Sequence, residues 1–346
     1  MTDKQATYAY ERRIDADLAG DFAKDLESED FLERFNAQLA PHADAGYREL
    51  DESAPTLHVI GVPRSGTTLL HQAIVSRLDV GYIDNLVAAF WRAPTYGLQL
   101  SMKLGLAHDG SDFASSFGRT SGVGEPHEFG YFWNDHLRYP DMTQQDGAHD
   151  ATIDWTYLRR VLLNMAEVCG KPMVFKPMLL LWHLEAMLRE MPLTCYVWIR
   201  RETRQVALSL LKMRELMFGS VERWASLRPM DAVALGGDDP VAQVVAQTLV
   251  LERTIAQATE SMGPSHVLEV GHPELCEAPD QVVVRVREIL ESKGADIADH
   301  GSSLAPFEVR RNDQLEARYG ERVDQAIESV RGRLGATPSG IDGGQR

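Results

Sequence analysis

The stretch GVPRSGTTLL, residues 61–70, directly follows the apolar run TLHVI. A glycine-bounded turn between a buried strand and a helix aims successive backbone N–H groups at one point. The helix start adds roughly half a positive charge there. Arg64 supplies a cation, and Thr67 and Thr68 supply hydroxyl donors. This is chemistry for holding an anion. A second stretch, WIRRETRQVALSLL (198–211), repeats the strand–turn–helix pattern. Arg201 ends the strand and Ser209 lies eight residues on. At about 1.5 Å of rise per residue, Ser209 stands about one and a half turns into the helix. It can reach an anion that Arg201 also grips. Arginine's planar, permanently charged fork suits phosphate.

The first loop departs from the phosphate loop G-x-x-x-x-G-K-[ST] of nucleotide hydrolases at one place. Thr67 stands where lysine is required. That lysine normally bridges the outer phosphates of a triphosphate beside Mg²⁺. No strand here is an apolar run followed by Asp to hold the metal, so arginine replaces metal and no metal is expected. Two other readings stay open: a kinase or NTPase with a degenerate loop, and a nucleotide-binding fold used as a scaffold.

Other reactive residues gather in two places. Lys176 ends the run MVFK, 25 residues before Arg201. Strand ends on one edge of a parallel sheet converge on a site, so Lys176 is a candidate for meeting developing charge. The segment GEPHEFGYFWNDH (124–136) holds Glu125, His127, Glu128, Asp135 and His136 among aromatics. His127 titrates near neutrality if unperturbed. Glu128 does similar work if partly desolvated. Asp84 and His183 are weaker base candidates. Phe90, Trp91 and Tyr96, with Phe129, Tyr131, Phe132 and Trp133, either fill a core or line an acceptor pocket.

The elements that must position these residues alternate regularly. SEDFLERFNAQL reads as a helix with Asp30 as N-cap and Leu32, Phe35 and Leu39 on one face. TLHVIGV (56–62) reads as a buried parallel strand, followed by the helix SGTTLLHQAIVSRL. Residues 84–150 show weak periodicity and read as a lid or acceptor-binding insertion. After residue 150, helix TYLRRVLLNMAEVCG and strand KPMVFK precede helix LLLWHLEAMLREM. Then come strand CYVWIRR, helix TRQVALSLLKMREL, a long helix from Asp239, strand SHVLEVG and helix APDQVVVRVREILESKG. The expectation is a three-layer α/β/α fold with a central parallel sheet. It divides into an N-terminal helical extension (1–50), one α/β domain (51–335) and a flexible tail (336–346).

The bulk properties set limits on function. The chain has 346 residues and a net charge of −16. That charge argues against nonspecific binding to nucleic acid or anionic membrane. It leaves a small anionic ligand open, because a local arginine cluster dominates at short range. Cys169, Cys195 and Cys276 lack disulfide or zinc spacing. With no apolar signal core and no membrane-length run, the expected compartment is cytoplasmic.

Together, the loop 61–68 and the pair Arg201/Ser209 resemble the sulfotransferase family that uses 3′-phosphoadenosine-5′-phosphosulfate (PAPS). The resemblance covers about residues 57–290. The form PRSGTTLL looks closer to the bacterial and Golgi-type branches than to the cytosolic ones. The resemblance implies a P-loop-like sulfotransferase fold. It also implies in-line transfer of a sulfuryl group from PAPS to a hydroxyl of a small-molecule acceptor, releasing the bisphosphate. It carries the 5′-phosphosulfate cradle onto Arg64, Ser65, Gly66, Thr67, Thr68 and Leu69, and the 3′-phosphate contacts onto Arg201 and Ser209. The family block R-x-P-x-x-x-x-x-S has Thr203 here in place of Pro. Related enzymes carry a lysine comparable to Lys176, and some carry a catalytic Glu near the place of Asp84. A late family loop maps onto Arg310 and Arg311. The strand VLEVG looks like the family's late strand, with His272 and Pro273 replacing Tyr and Glu in its turn. The expected catalytic set is Arg64, Lys176, His127 and Glu128. The 84–150 segment and the N-terminal helices leave surface for a homodimer.

Overall fold

A computed structural model of the protein describes residues 18, 22–106, 111, 113–116, 118–309 and 313–336. Arg310, Arg311 and the tail from residue 337 lie outside the described residues. Seven strands follow in chain order: β1 (Thr56–Ile60), β2 (Gly81–Tyr82), β3 (Ser115–Ser116), β4 (Arg119–Thr120), β5 (Met173–Phe175), β6 (Cys195–Arg200) and β7 (Val267–Gly271). Strands β3 and β4 form a small antiparallel hairpin. The other five form one parallel sheet in the order β2-β5-β1-β6-β7. The expected parallel α/β architecture is therefore present.

The strands are apolar on both faces because each face has its own core. Leu57 and Val59 of β1 and Val197 and Ile199 of β6 face helices Thr67–Arg77 and Pro279–Glu291. Ile60, Phe175, Tyr196 and Trp198 face the larger core, built by helices Trp155–Cys169, Thr203–Phe218, Pro240–Glu260 and Asp313–Ala336. The sheet is thus covered on both sides, and its C-terminal strand ends are the free edge. Gly61, Lys176, Arg201 and His272 each follow directly on a strand or stand one residue past its end. The fold therefore brings to one edge residues spread over more than two hundred positions.

Among the described residues the first α-helix runs Leu26–Gly46 and is capped by Asp25, not Asp30. Asp25 accepts from the Glu27 N–H at 3.1 Å and the Ser28 hydroxyl at 2.6 Å. Glu27 and Glu29 then fall in the first turn, where the helix dipole favours them. Asn36 pins this helix to the body of the protein. Its amide donates to the Ala89 carbonyl at 2.8 Å, and its oxygen accepts from the Arg92 N–H at 2.9 Å. Arg92 also pairs with Glu33 and Asp135, both at 2.7 Å.

Two further elements differ from the sequence reading. LLLWHLEAMLREM is not one helix: a 3₁₀ turn, Leu179–Trp182, precedes helix Leu184–Glu190. The break falls at His183, whose ring joins the Tyr139 hydroxyl (2.8 Å) and the Asp150 carboxylate (2.5 Å). The helix Asp313–Ala336 was not anticipated; Leu315, Tyr319, Val323 and Val330 bury one of its faces.

The segment 84–150 contains helices Asn85–Ala88, Pro94–Leu104 and Gly130–Leu137 and the β3–β4 hairpin. The three cysteines are free thiols. Among the described residues, no helix is long and apolar enough to cross a membrane, and no group of His, Cys, Asp or Glu is arranged to hold a metal.

Candidate functional site

The turn after β1 is built to keep its backbone bare. A Cβ on Gly61 would lie 2.6 Å from Ser65 Oγ and 2.7 Å from the Ile199 carbonyl oxygen. Gly66 caps helix Thr67–Arg77 with φ 108°, and a Cβ there would lie 2.7 Å from the His272 ring. Both glycines are required by close approach, and Gly66 also by its backbone conformation. Between them Arg64 is held at φ 72°, a left-handed conformation that costs a non-glycine residue. Ser65 is fully buried, and its Oγ has no hydrogen-bond partner among the described residues. That hydroxyl lies beside Gly61, and the Ser65 N–H donates to the Val62 carbonyl at 3.1 Å, so the anion contacts expected of the loop fall to the helix start, where Gly66, Thr67 and Thr68 line the cavity.

The two arginines of the sequence reading meet here. Arg201 Nη1 donates to the Arg64 carbonyl at 3.2 Å. Arg64 Nε donates to Ser209 Oγ at 3.1 Å. Ser209 is thus engaged by Arg64 and joins the two stretches across 145 residues. Burial, and then the neighbouring Arg201, pull Arg64 down to about 10. Burial also lowers Arg201. Two guanidinium groups in one desolvated corner repel each other, and an anion between them would offset both costs.

Lys176 follows β5 and is buried, its side chain 2% exposed. Its Nζ donates to Thr68 Oγ1 at 3.0 Å and forms an ion pair with Glu128. Burial lowers its pKa, and Glu128 opposes that shift. Glu128 itself is 38% exposed. A Cβ on Gly118 would lie 2.9 Å from Glu128 Oε1, so this glycine, at φ 90°, leaves room for the carboxylate. One lysine therefore ties the anion loop to a carboxylate 48 residues away.

His127 sits beside Glu128. Its Nδ1 accepts from the Phe129 N–H at 2.8 Å, which leaves Nε2 to carry the proton. Burial drives the ring down to about 4, with Glu128 opposing. A neutral imidazole whose lone pair is already engaged is a donor, not a base.

The other candidates are occupied elsewhere. Glu125 accepts from Gln72 (2.9 Å) and Ser111 (2.8 Å). Asp84 caps helix Asn85–Ala88 through the Val87 N–H at 2.7 Å and also takes the Ser101 hydroxyl. Asp135 pairs with Arg92, and the His136 ring packs against Phe132 and Tyr157. Arg200 pairs with Glu269, and Arg204 with Asp324 and Glu316.

A cavity of about 1010 Å³ opens over this edge. Arg64, Gly66, Thr67, Thr68, Leu69, His127, Glu128 and Arg201 all line it. Of the aromatics proposed for a pocket, Trp91 and Tyr131 line it; Trp91 is also part of the core, with Phe129, Phe132 and Trp133.

His272, which stands in place of Tyr in the turn after the late strand, was not among the expected site residues. It abuts Gly66, and burial and then Arg201 push it down to about 4. Its place at the end of the strand next to β6 was the available signal. Lys24, Arg119 and the methionines Met142, Met178, Met213 and Met217 also line the cavity and carried no local signal.

Residues 55–296 match the family described as "Sulfotransferase family". No curated protein matches the chain. Among solved structures, a sulfotransferase of Mycobacterium tuberculosis is 15% identical, with 96% of this chain and 93% of that one covered and a TM-score of 0.50. A sulfotransferase of Mycobacterium avium is also 15% identical, with 85% and 81% covered and a TM-score of 0.41. The first of these shares the fold.

Proposed function

The chain belongs to the sulfotransferase family, and from that premise we propose that it transfers a sulfuryl group from PAPS to a hydroxyl of a small-molecule acceptor. The observation that carries this reading is the double engagement of Lys176 with Thr68 of the anion loop and with Glu128. A cation at the loop and a carboxylate open to the cavity are the two groups an in-line transfer requires.

In this reading the N–H groups of Gly66, Thr67 and Thr68 and the Arg64 guanidinium hold the 5′-phosphosulfate. Arg201 and Ser209 meet the 3′-phosphate. Glu128 takes the proton of the acceptor hydroxyl as its oxygen bonds to sulfur. The bond from sulfur to the bridging oxygen breaks, and the electron pair stays on the bisphosphate. Lys176 and Arg64 meet the charge that builds there. To do so Lys176 releases Glu128, which frees the carboxylate when the base is needed. His127 acts as a hydrogen-bond donor beside it. No step calls for a metal.

The test is incubation with PAPS and a panel of phenols, alcohols and sugars, scored by release of adenosine 3′,5′-bisphosphate. Binding of that bisphosphate must fall sharply in Arg201→Ala. Unchanged binding removes the nucleotide assignment, and Mg²⁺-dependent turnover of ATP would restore the kinase reading.

A further inference from the structure

The cavity over the strand ends is large. At about 1010 Å³ it stands at the top of the range of roughly 300–1,000 Å³ typical for a single small-molecule site. Four of the chain's 12 methionines line it: Met142, Met178, Met213 and Met217. Three of the four are half-buried rather than sealed in the core, so they present surface to the cavity. Met213 and Met217 lie one turn apart on helix Thr203–Phe218, a spacing that shares a face. Met178 stands two residues past Lys176.

The fourth side of this wall is held in place from beneath. The Arg228 N–H donates to the Met142 carbonyl at 2.7 Å, and the Gln144 N–H donates to the Arg228 carbonyl at 3.0 Å. These bonds lock segment 142–144 to segment 224–228. Below that segment, buried Gln247 donates to the carbonyls of Ala225 (2.9 Å) and Leu227 (2.7 Å). Buried Arg214 donates to the Val221 carbonyl at 3.1 Å, and its guanidinium lies 5.0 Å from the Trp224 ring. Trp224 is therefore fixed, while the methionines are unbranched and adaptable. A rigid aromatic edge beside a deformable thioether surface suits a long apolar molecule more than a rigid polar one.

We propose that the acceptor is an alcohol with a long, flexible apolar body, and that Met142, Met178, Met213 and Met217 hold that body while its hydroxyl reaches Glu128. The proposal rests on the sulfotransferase reading for the hydroxyl end and on the wall itself for the apolar end. Sugars and small phenols would leave most of the wall uncovered and bind weakly.

The experiment is calorimetric titration with butanol, octanol and dodecanol, with adenosine 3′,5′-bisphosphate present. Affinity should rise with length, by up to about fourfold per methylene added. The Met213→Gln/Met217→Gln variant should flatten that dependence and leave bisphosphate affinity unchanged. Met178→Gln, on a separate element, gives the same readout if the double variant does not fold. Affinity that ignores chain length while the bisphosphate binds overturns this proposal alone. Length-dependent binding without any bisphosphate affinity overturns the donor assignment and leaves the wall standing.

Discussion

Lys176 and Glu128 form an ion pair in which one partner is buried and the other is open to the cavity. Under the proposed function the pair is a latch between the loop that would grip the donor and the group that would take the proton. Glu128→Gln keeps the shape and removes the proton acceptor. We expect kcat to fall by about 10²–10⁴, with bisphosphate affinity retained. Steady-state kinetics beside a binding titration separate the two; a loss confined to affinity would assign Glu128 to donor binding instead.

Arg64, Arg201 and Ser209 should behave as one unit. Arg201→Ala should weaken bisphosphate binding about ten- to hundredfold, the cost of a lost charge-assisted contact. Ser209→Ala removes the acceptor for Arg64 Nε and, under the proposed function, a donor to the 3′-phosphate. A double-mutant cycle on Arg64→Ala and Ser209→Ala should give a clearly non-additive result. Additive losses would mean that the 3.1 Å bond between them contributes nothing to binding.

Gly66→Ala should abolish donor binding and destabilise the fold, for two separable reasons. The new methyl would meet the His272 ring at 2.7 Å, and φ 108° strains any side chain. Adding His272→Ala removes the first reason only. The expected outcome is partial rescue of the thermal midpoint in the double variant. Full rescue would mean that the backbone conformation carries no cost, and no rescue would mean that the contact carries none.

Acid should unfold the protein through two buried histidines. Burial drives His58 to about 3, and burial, then Lys176 and His127, drive His71 to about 3. Neither His71 nitrogen has a hydrogen-bond partner among the described residues. Both pKa values lie below the usual 6.5, so the unfolded chain binds more protons between those limits. The stability from keeping them neutral is complete above about pH 6.5 and is lost as pH falls toward 3. Urea midpoints between neutral pH and about pH 4.5 should drop for the wild type, and less for His71→Leu or His58→Phe.

The meeting of Arg64, Arg201 and Ser209 at the strand ends was legible in the sequence because its signals are local. An apolar run, two glycines and PRSGTT lie within 13 residues, and Arg201 stands at the end of a second such run. Other features depend on contacts the chain makes only when folded. The break at His183 is set by hydrogen bonds to Tyr139 and Asp150. Asp25 rather than Asp30 caps the first helix, and both are plausible caps in isolation. The division of labour between His127 and Glu128 turns on one backbone N–H and one lysine. The methionine wall joins segments near residues 142 and 226 whose pairing leaves no periodic trace.

The left-handed backbone of Arg64 has a consequence for how this position can change over generations. Its φ of 72° would suit glycine, and its half-buried guanidinium sits beside a second one. Arg64→Gly should relax the turn and raise the melting midpoint while weakening the grip on the donor. Selection for a sturdier protein and selection for a working one therefore pull in opposite directions at this residue. An arginine that persists here does so against the interest of the fold, and a descendant freed from its task would be expected to lose it early.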